Sequence, residues 1–527
     1  MPFSLVASGS KIQIIFSDGT IQDVTLPSGV SVVASQPARF AVLGRNVIVA
    51  NAVSQPIWVD PDGNARPVVI VGPALAPTLA VGAAGGLSGD FAAAFSYTIK
   101  DDFGNLLFET PRSPVSNTLT ATADIIDVSA ISISGTAAIN GRRVYRSADG
   151  PTDELFFWFD LDDNTTTTFS DDTSDEALSV EAAPSEVGVG PLRMEIVTEW
   201  KGRLWAKNAI DPENLIYTAL NKLYAWPAEN ELIVQPVGRD RFGITGLIKR
   251  RDELGVCRRD ILWKIVGSNE DDFSMVKVVE GKGCVSHETI VVVRDVARFL
   301  GDDGVFEWDD SGFRSITDET VHPWFTTDTY FNRALFPSAF ARYDPFRNAY
   351  DLFLAATGST VFDRWITFDI DRKKWMGPHK TDAFTPCSAG LVYDSSELLV
   401  PVIGGTDNYV YKVTPGTYRD GASTTIDFDV TGKFHSSAAP DIHHYWGELS
   451  ILTRIESAGT LSIFPKVGRL ADSAGATISH DLTLGRQRLR RLGVGPLLNL
   501  RFRNNENNQR VELYGYEVAP VFEYGRR

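Results

Sequence analysis

At 527 residues the chain is long enough for several domains, and 43% hydrophobic with 22% charged residues is ordinary for a soluble folded protein. A formal net charge of −17 argues against a general nucleic-acid binder, which would present a basic face. The three cysteines, Cys257, Cys284 and Cys387, lack metal-ligand spacing and are too few for a disulfide scaffold, so they read as reduced, buried thiols.

No basic stretch followed by a long apolar one opens the chain, so no secretory signal is expected. Two strand-and-turn units come first. Residues 12–16 (IQIIF) precede the turn Ser17-Asp18-Gly19, and residues 56–59 (PIWV) precede Asp60-Pro61-Asp62-Gly63. Asp60 to Asn64 resembles part of a calcium loop, but Val71 stands where the closing glutamate would be, and a hairpin turn is the better account. Residues 67–89 run without a charge for 23 positions, enough in principle to cross a bilayer. Pro67, Pro73, Pro77 and Gly82, Gly85, Gly86 and Gly89 suit a linker and strand starts instead, and no membrane span is expected.

Phe16 and Trp58 lie 42 residues apart, close to the roughly 40–45 residues of one four-stranded propeller blade. The next comparable unit, residues 203–206 (RLWA), follows Trp58 by 147 residues, so about 105 residues have been inserted at that period. Within residues 73–190, strands are expected at 95–99, 142–147, 155–160 and 165–170. They suggest a β-sandwich of fibronectin type III or immunoglobulin kind, the former favoured by the lack of a disulfide. Between residues 76 and 190 there are 18 Asp/Glu against 5 Lys/Arg, a net charge of about −13.

The period then resumes, most plainly over residues 257–317. β-rich runs at 261–265, 289–293, 297–300 and 305–308 alternate with Gly/Asp/Asn/Ser turns, and Trp263 and Trp308 stand 45 residues apart. Phe16, Trp58, Trp205, Trp263, Trp308, Phe368 and Tyr411 mark seven such units. The first four tryptophans are expected on equivalent strands of successive blades. The fold class is therefore all-β: a β-propeller of about six blades, if the first and last segments share one, with an inserted sandwich and a C-terminal sandwich. The expected domains are 1–72 and 191–433 for the propeller, 73–190 for the insert and 434–527 for the second sandwich. That last region is mildly basic, with 12 Lys/Arg against 9 Asp/Glu, and Arg486, Arg488, Arg490 and Arg491 cluster in it.

Few residues point to chemistry. His443 and His444 are adjacent, so on a strand they face opposite ways and are poorly placed to share a metal. Asp101-Asp102, Asp162-Asp163 and Asp171-Asp172 read as solvated turns before calcium ligands. No nucleophile elbow, P-loop, zinc-protease helix or sialidase Asp-box is present, although a carboxylate pair brought together in space is still open. On a strand Arg486, Arg488 and Arg490 would share one face and Arg491 the other, and the cluster is expected at a subunit or partner interface. No catalytic, cofactor or metal residue is assigned.

Several runs together resemble the tail nozzle, hub or packaged-DNA stabilisation proteins of short-tailed bacteriophages. These are residues 202–205 (GRLW), 214–217 (NLIY), 225–227 (AWP), 243–247 (GITGL), 261–263 (ILW), 283–286 (GCVS) and 299–306 (FLGDDGVF), with residues 510–516 (RVELYGY) at the close. The likeness is strongest over about residues 192–325, and the long insert is a departure in detail. The resemblance implies a virion tail protein without an enzymatic site or cofactor, assembled in the host cytoplasm. It further implies a homohexameric ring below the portal and adaptor that continues the DNA channel, retains the genome and opens for ejection. The adaptor or portal-proximal tail protein would be its partner, with tail fibres as a further one. Acidity suits a channel wall, since carboxylates repel phosphates and let DNA pass without binding. The alternative is a glycan-binding or glycan-cleaving propeller. A bacterial surface adhesin is disfavoured by the missing signal.

Overall fold

A computed structural model of the chain describes every residue except 1–2, 28–29, 33–35, 69–70, 101–102, 137–138, 151–153, 185–192, 224–225, 227–229, 236–242, 318–320, 382, 414–418, 421–423, 426–427, 433, 437–442, 469–476, 507–508, 512 and 525–527. The fold is all-β, a propeller-type series of antiparallel meanders with one sandwich inserted and another at the C-terminal end. Seven meanders follow the chain. The first has three strands, Phe3–Ser8, Lys11–Phe16 and Ile21–Asp23. The second has four: Arg39–Leu43, Asn46–Ala50, Ile57–Val59 and Ala65–Pro67. The third runs from Met194–Trp200 through Arg203–Asn208 and Asn214–Tyr217 to Glu231–Ile233. Gly246–Lys249, Leu254–Cys257, Ile261–Val266 and Ser274–Glu280 make the fourth, and Val291–Val293, Val296–Leu300, Val305–Asp309 and Gly312–Ser315 the fifth. The sixth holds Phe340–Asp344, Ala349–Leu354, Arg364–Asp369 and Lys374–His379, and the seventh Pro386–Tyr393, Leu399–Gly405 and Val410–Lys412. By contact, residues 1–360, 367–375 and 390–399 make one compact unit, and residues 361–366, 376–389 and 400–527 the other.

The central strands of these meanders read as continuous apolar runs because both faces are covered. Ile57 and Val59 pack with Ile12 and Ile14 of the first meander, while Trp58 between them turns to Met194, Leu204 and Ala206 of the third. In the fourth, Val256 and Ile265 meet Trp205 and Tyr217, whereas Cys257 and Leu262 meet Phe299, Phe306 and Trp308 of the fifth. Strand alternation thus sends successive side chains into two neighbouring cores.

Trp58, Trp263 and Trp308 lie on third strands, as do Phe368 and Tyr411. Trp205 does not: it sits on the second strand of its meander, which corrects the expected equivalence. The third-strand aromatic there is Tyr217, 46 residues before Trp263, paired with Trp205 across the sheet and stacked on it at 4.4 Å. Either aromatic fills the gap to the fourth meander, which is why the sequence marker slipped by one strand.

The inserted sandwich pairs a four-stranded sheet (Leu106–Glu109, Ala93–Lys100, Gly141–Arg146, Phe156–Leu161) with a three-stranded one (Phe169–Asp171, Leu119–Ser129, Thr78–Phe91). Phe95, Tyr97, Ile126, Val128, Val144 and Trp158 form its core. Thr78–Phe91 corrects the linker reading of residues 67–89. Its glycines are required by close approach: a Cβ on Gly85 would stand 2.6 Å from Ile125 Cγ1, and one on Gly82 would stand 2.9 Å from the Asp127 carboxylate. The strand expected at 165–170 is confined to Phe169–Asp171, because Asp163 holds the preceding loop in a turn through the amides of Thr165 and Thr166.

The C-terminal sandwich begins at Phe428–Thr431, upstream of the boundary expected at 434. That strand joins Leu497–Asn504, Thr460–Val467 and Ile478–Asp481, with His435–Ser436 also on Leu497–Asn504. The facing sheet is Arg486–Gly495, His443–Thr453 and Leu513–Tyr524. Leu449, Ile451, Leu461, Ile463, Leu498, Leu500 and Phe502 fill the space between.

Candidate functional site

The arginine cluster lies on the strand Arg486–Gly495, which among the described residues pairs with His443–Thr453 alone and so forms an edge of that sheet. The register sets Arg486 opposite Leu452, Arg488 opposite Ser450 and Arg490 opposite Glu448, while Gln487 and Leu489 stand opposite the core residues Ile451 and Leu449. Arg486 and Arg488 thus occupy outward positions, and a register shift follows Arg490. Arg486 and Arg488 are exposed. The Arg488 head stands 3.4 Å from Glu448. The side chains of Arg490 and Arg491 lie outside the described residues, as do those of His443 and His444. Charges on an edge strand block pairing with a further strand, and the same charges offer a partner a row of guanidinium groups. On the opposite sheet Arg501 pairs with Asp429 through Nε at 2.7 Å and lies over the Phe464 ring.

Behind the arginine strand, His480 is fully buried. Its Nδ1 is 2.9 Å from Gln487 Oε1 and its Nε2 2.9 Å from Thr453 Oγ1. Burial pushes its pKa below the ordinary histidine value.

Within the meanders, ionisable groups meet in one place from distant parts of the chain. Arg39, on the first strand of the second meander, donates from Nε to Glu288 at 2.7 Å and from Nη1 to the Glu195 carbonyl at 2.8 Å. Lys207 Nζ lies 2.6 Å from Glu195 Oε2. The adjacent His287 is pushed down to about 4 by burial, with Glu288 acting in the opposite sense. Two carboxylates do come together here, as a glycan-cleaving propeller would need, but each is already engaged by a cation. A buried pair, Arg342 and Asp351 at 3.1 Å, is completed by Arg347 at 2.9 Å and the Thr367 hydroxyl at 2.6 Å. A shallow cleft of about 310 Å³ is lined by Lys282, Asp303, Phe306, Ser315, Thr317 and His322, and Lys282 in it is paired with Asp303.

Asp60 closes a hairpin turn, accepting from the amides of Asp62 and Asn64 at 3.0 and 2.8 Å. Asp171 and Asp172 are likewise engaged, Asp171 beside Arg146 and Asp172 accepting from the Gly86 amide at 2.6 Å. Asp101 and Asp102 lie outside the described residues. Cys257 and Cys284 are buried free thiols as expected, while Cys387, on the first strand of the seventh meander, is exposed, which corrects the expected burial there.

The insert handles its cations in one way. Arg142 is fully buried, with Nη2 2.9 Å from Asp163 Oδ1 and Nε 3.2 Å from the Asp163 carbonyl. Arg146, also fully buried, lies over Phe91 and Trp158, donates to the Thr173 carbonyl at 2.8 Å, and has Asp175 at 3.1 Å and Asp171 at 3.8 Å. Arg143 contacts Asp160, Glu109 and Glu181, and Lys100 contacts Asp160 and Asp162. Around the three-stranded sheet the carboxylates have no such company. Asp90 accepts from the Thr120 hydroxyl at 2.6 Å, Asp124 from the Thr122 amide at 2.7 Å, and Asp127 from Ser170. Among the described residues no Lys or Arg pairs with Asp90, Asp124, Asp127 or Asp172. Sequence counting found this domain's net charge but not which of its carboxylates lack a cation.

No family model matches the chain, and no curated protein does. Solved structures similar to it include the computationally designed Ika8 protein, at 10% identity over 74% of this chain and 99% of that one, with a TM-score of 0.29. The Dos1 propeller matches at 10% identity over 76% and 86% with a TM-score of 0.31. PorZ, a surface component of the type-IX secretion system of Porphyromonas gingivalis, matches at 10% identity over 98% and 75% with a TM-score of 0.29. At scores this low the likenesses carry no argument about function.

Proposed function

We propose that the chain is a structural protein of a bacteriophage tail, without enzymatic activity. In this reading it assembles as a six-membered nozzle or hub ring that continues the DNA channel, holds the packaged genome and opens for ejection. The observation that carries the reading is the order of parts. Meanders three to five, which hold the runs resembling tail nozzle proteins, pack through shared cores. A sandwich interrupts the series before them, and a second sandwich ends the chain. Rigid all-β parts, with the gathered carboxylates Glu195 and Glu288 tied to Arg39 and Lys207, suit a wall better than a reaction centre.

Six copies bring six times −17 charges, so Asp/Glu are expected to outnumber Lys/Arg on the channel wall, where they repel passing phosphates. Negative-stain microscopy of the purified full-length protein tests the reading. A six-fold ring with a central hole is expected. A monomer that releases sugar from host polysaccharide would replace this reading with the glycan-cleaving one.

A further inference from the structure

The two sandwiches present sheet faces of opposite charge. On the C-terminal one, Arg486 and Arg488 stand exposed at alternate outward positions of a strand at the edge of the described sheet. On the insert, the outer face of the three-stranded sheet carries Asp90 and Asp127, which alternate with the core residues Phe91, Ile126 and Val128, and Asp172 reaches over to the Gly86 amide. Its other edge is the 14-residue strand Thr78–Phe91, which sets the small Ala80 opposite Asp127. Gly82 and Gly85 leave room for the carboxylates, since an added Cβ would stand 2.9 Å from Asp127 and 2.7 Å from Asp172. Long guanidinium side chains can lie across such a surface and reach carboxylates without a clash.

We propose that the arginine-bearing face of the C-terminal sandwich is a docking surface for a second copy of this chain, taking the carboxylate-bearing face of that copy's inserted sandwich. The occupant follows from charge complementarity: the insert brings about −13 and the C-terminal region 12 Lys/Arg against 9 Asp/Glu. Different patches meet on the two copies, so the contact is head-to-tail and repeats until the rotation closes a ring. The inference rests on the ring reading above and names the surfaces that build it.

Two charge-reversed full-length variants test it, R486E/R488E and D127K/D172K, sized by mass photometry and analytical ultracentrifugation. Each alone should lose self-association by at least tenfold. Mixed in equal amounts they should reassemble, because every junction then joins opposite charges. The neutral pair R486A/R488A and D127N/D172N, which keeps the small hydrogen bonds of the insert face, should stop at one-to-one dimers when mixed. Raising salt from about 0.1 M to about 1 M, which shrinks the screening length from about 10 Å to about 3 Å, should weaken the wild-type assembly. A six-fold ring that forms equally well in both reversed variants overturns this contact and leaves the ring reading standing. A wild-type chain that stays monomeric overturns both. Duplex DNA binding by the wild type that R486E/R488E abolishes would assign the arginines to phosphate and overturn the proposal.

Discussion

The two sandwiches share an architecture and treat charge in opposite ways. The insert places two arginines, Arg142 and Arg146, inside its fold and surrounds them with carboxylates and aromatic rings. The C-terminal sandwich fills its core with Leu449, Ile451, Leu461, Ile463, Leu498, Leu500 and Phe502 and carries Arg486 and Arg488 in solvent. An acidic domain with few cations can thus tie them up internally and still leave one face bare. The C-terminal sandwich keeps Arg486 and Arg488 for its surface. The difference predicts where each one is fragile.

The largest effect is expected at Arg146. Arg146→Met leaves Asp171 and Asp175 without their cation in a buried setting and should cost about 3–5 kcal/mol. Burial already raises the Asp171 pKa, so the site disfavours an unpaired charge there. The triple variant R146M/D171N/D175N should recover most of the loss, because removing the whole ionic group also removes its desolvation cost. Denaturant unfolding with local hydrogen exchange checks both. A triple variant as unstable as R146M would mean that packing against Phe91 and Trp158, not charge, holds the domain.

Next comes Gly85. A valine Cβ there meets Ile125 at 2.6 Å and should cost about 1–3 kcal/mol through overpacking. Gly515, on the outer register of the C-terminal sheet opposite Leu452, has nothing within 4 Å of an added Cβ. Gly515→Val should therefore be neutral within about 0.5 kcal/mol. Thermal unfolding of the two variants side by side separates a face that needs glycine from one that merely contains it.

Acid should separate the sandwiches as well. His480 is buried with a depressed pKa, so its contribution is present above the unfolded value near 6.5 and is lost as pH falls below it. In the insert Asp163 is held well below the usual carboxylate range by the amides of Thr166 and Thr165. Its contribution is lost only as pH falls below about 4, while Asp171, raised by burial, acts in the opposite sense. Hydrogen exchange from pH about 7 to about 5 should show protection falling in His443–Thr453 and Ile478–Asp481 before Gly141–Arg146. His480→Gln should flatten that trend. Equal loss in both domains would sink the assignment to His480.

What was legible in the sequence follows from the same physics. Strands buried on both faces, such as Ile261–Val266 and Val305–Asp309, announce themselves as aromatic and β-branched runs ended by Gly/Asp turns. Ser274–Glu280, an outer strand, does not stand out because its four apolar residues, Met275, Val276, Val278 and Val279, are split by Lys277 and show no clean alternation. Thr78–Phe91 was hidden because its glycines, read as punctuation, serve close packing instead. Trp205 and Tyr217 face each other across one sheet, so aromatic spacing alone could not say which held the repeat position. For the candidate site, alternation placed Arg486, Arg488 and Arg490 on one face because strand geometry fixes it. The bare aspartate face could not be read, since which carboxylates meet a cation depends on loops such as residues 162–168 that only the fold brings to Arg142.

The smallest effect is the most informative about the arginine strand. Arg488 is 67% exposed in its side chain and stands 3.4 Å from Glu448, itself about a third exposed. A pair in that setting is screened by water and salt, and holding two long side chains together has an entropic cost. Arg488→Ala should change the stability of the full chain by no more than about 0.5 kcal/mol, with Glu448→Ala the same and the double variant additive. Chemical unfolding across that cycle measures it. A coupling above about 1 kcal/mol would mean the arginine is structural, locking its edge strand to His443–Thr453. An additive cycle leaves the guanidinium free in energetic terms. Its position, outward on an edge strand and opposite Ser450, is then explained by what it meets outside the domain.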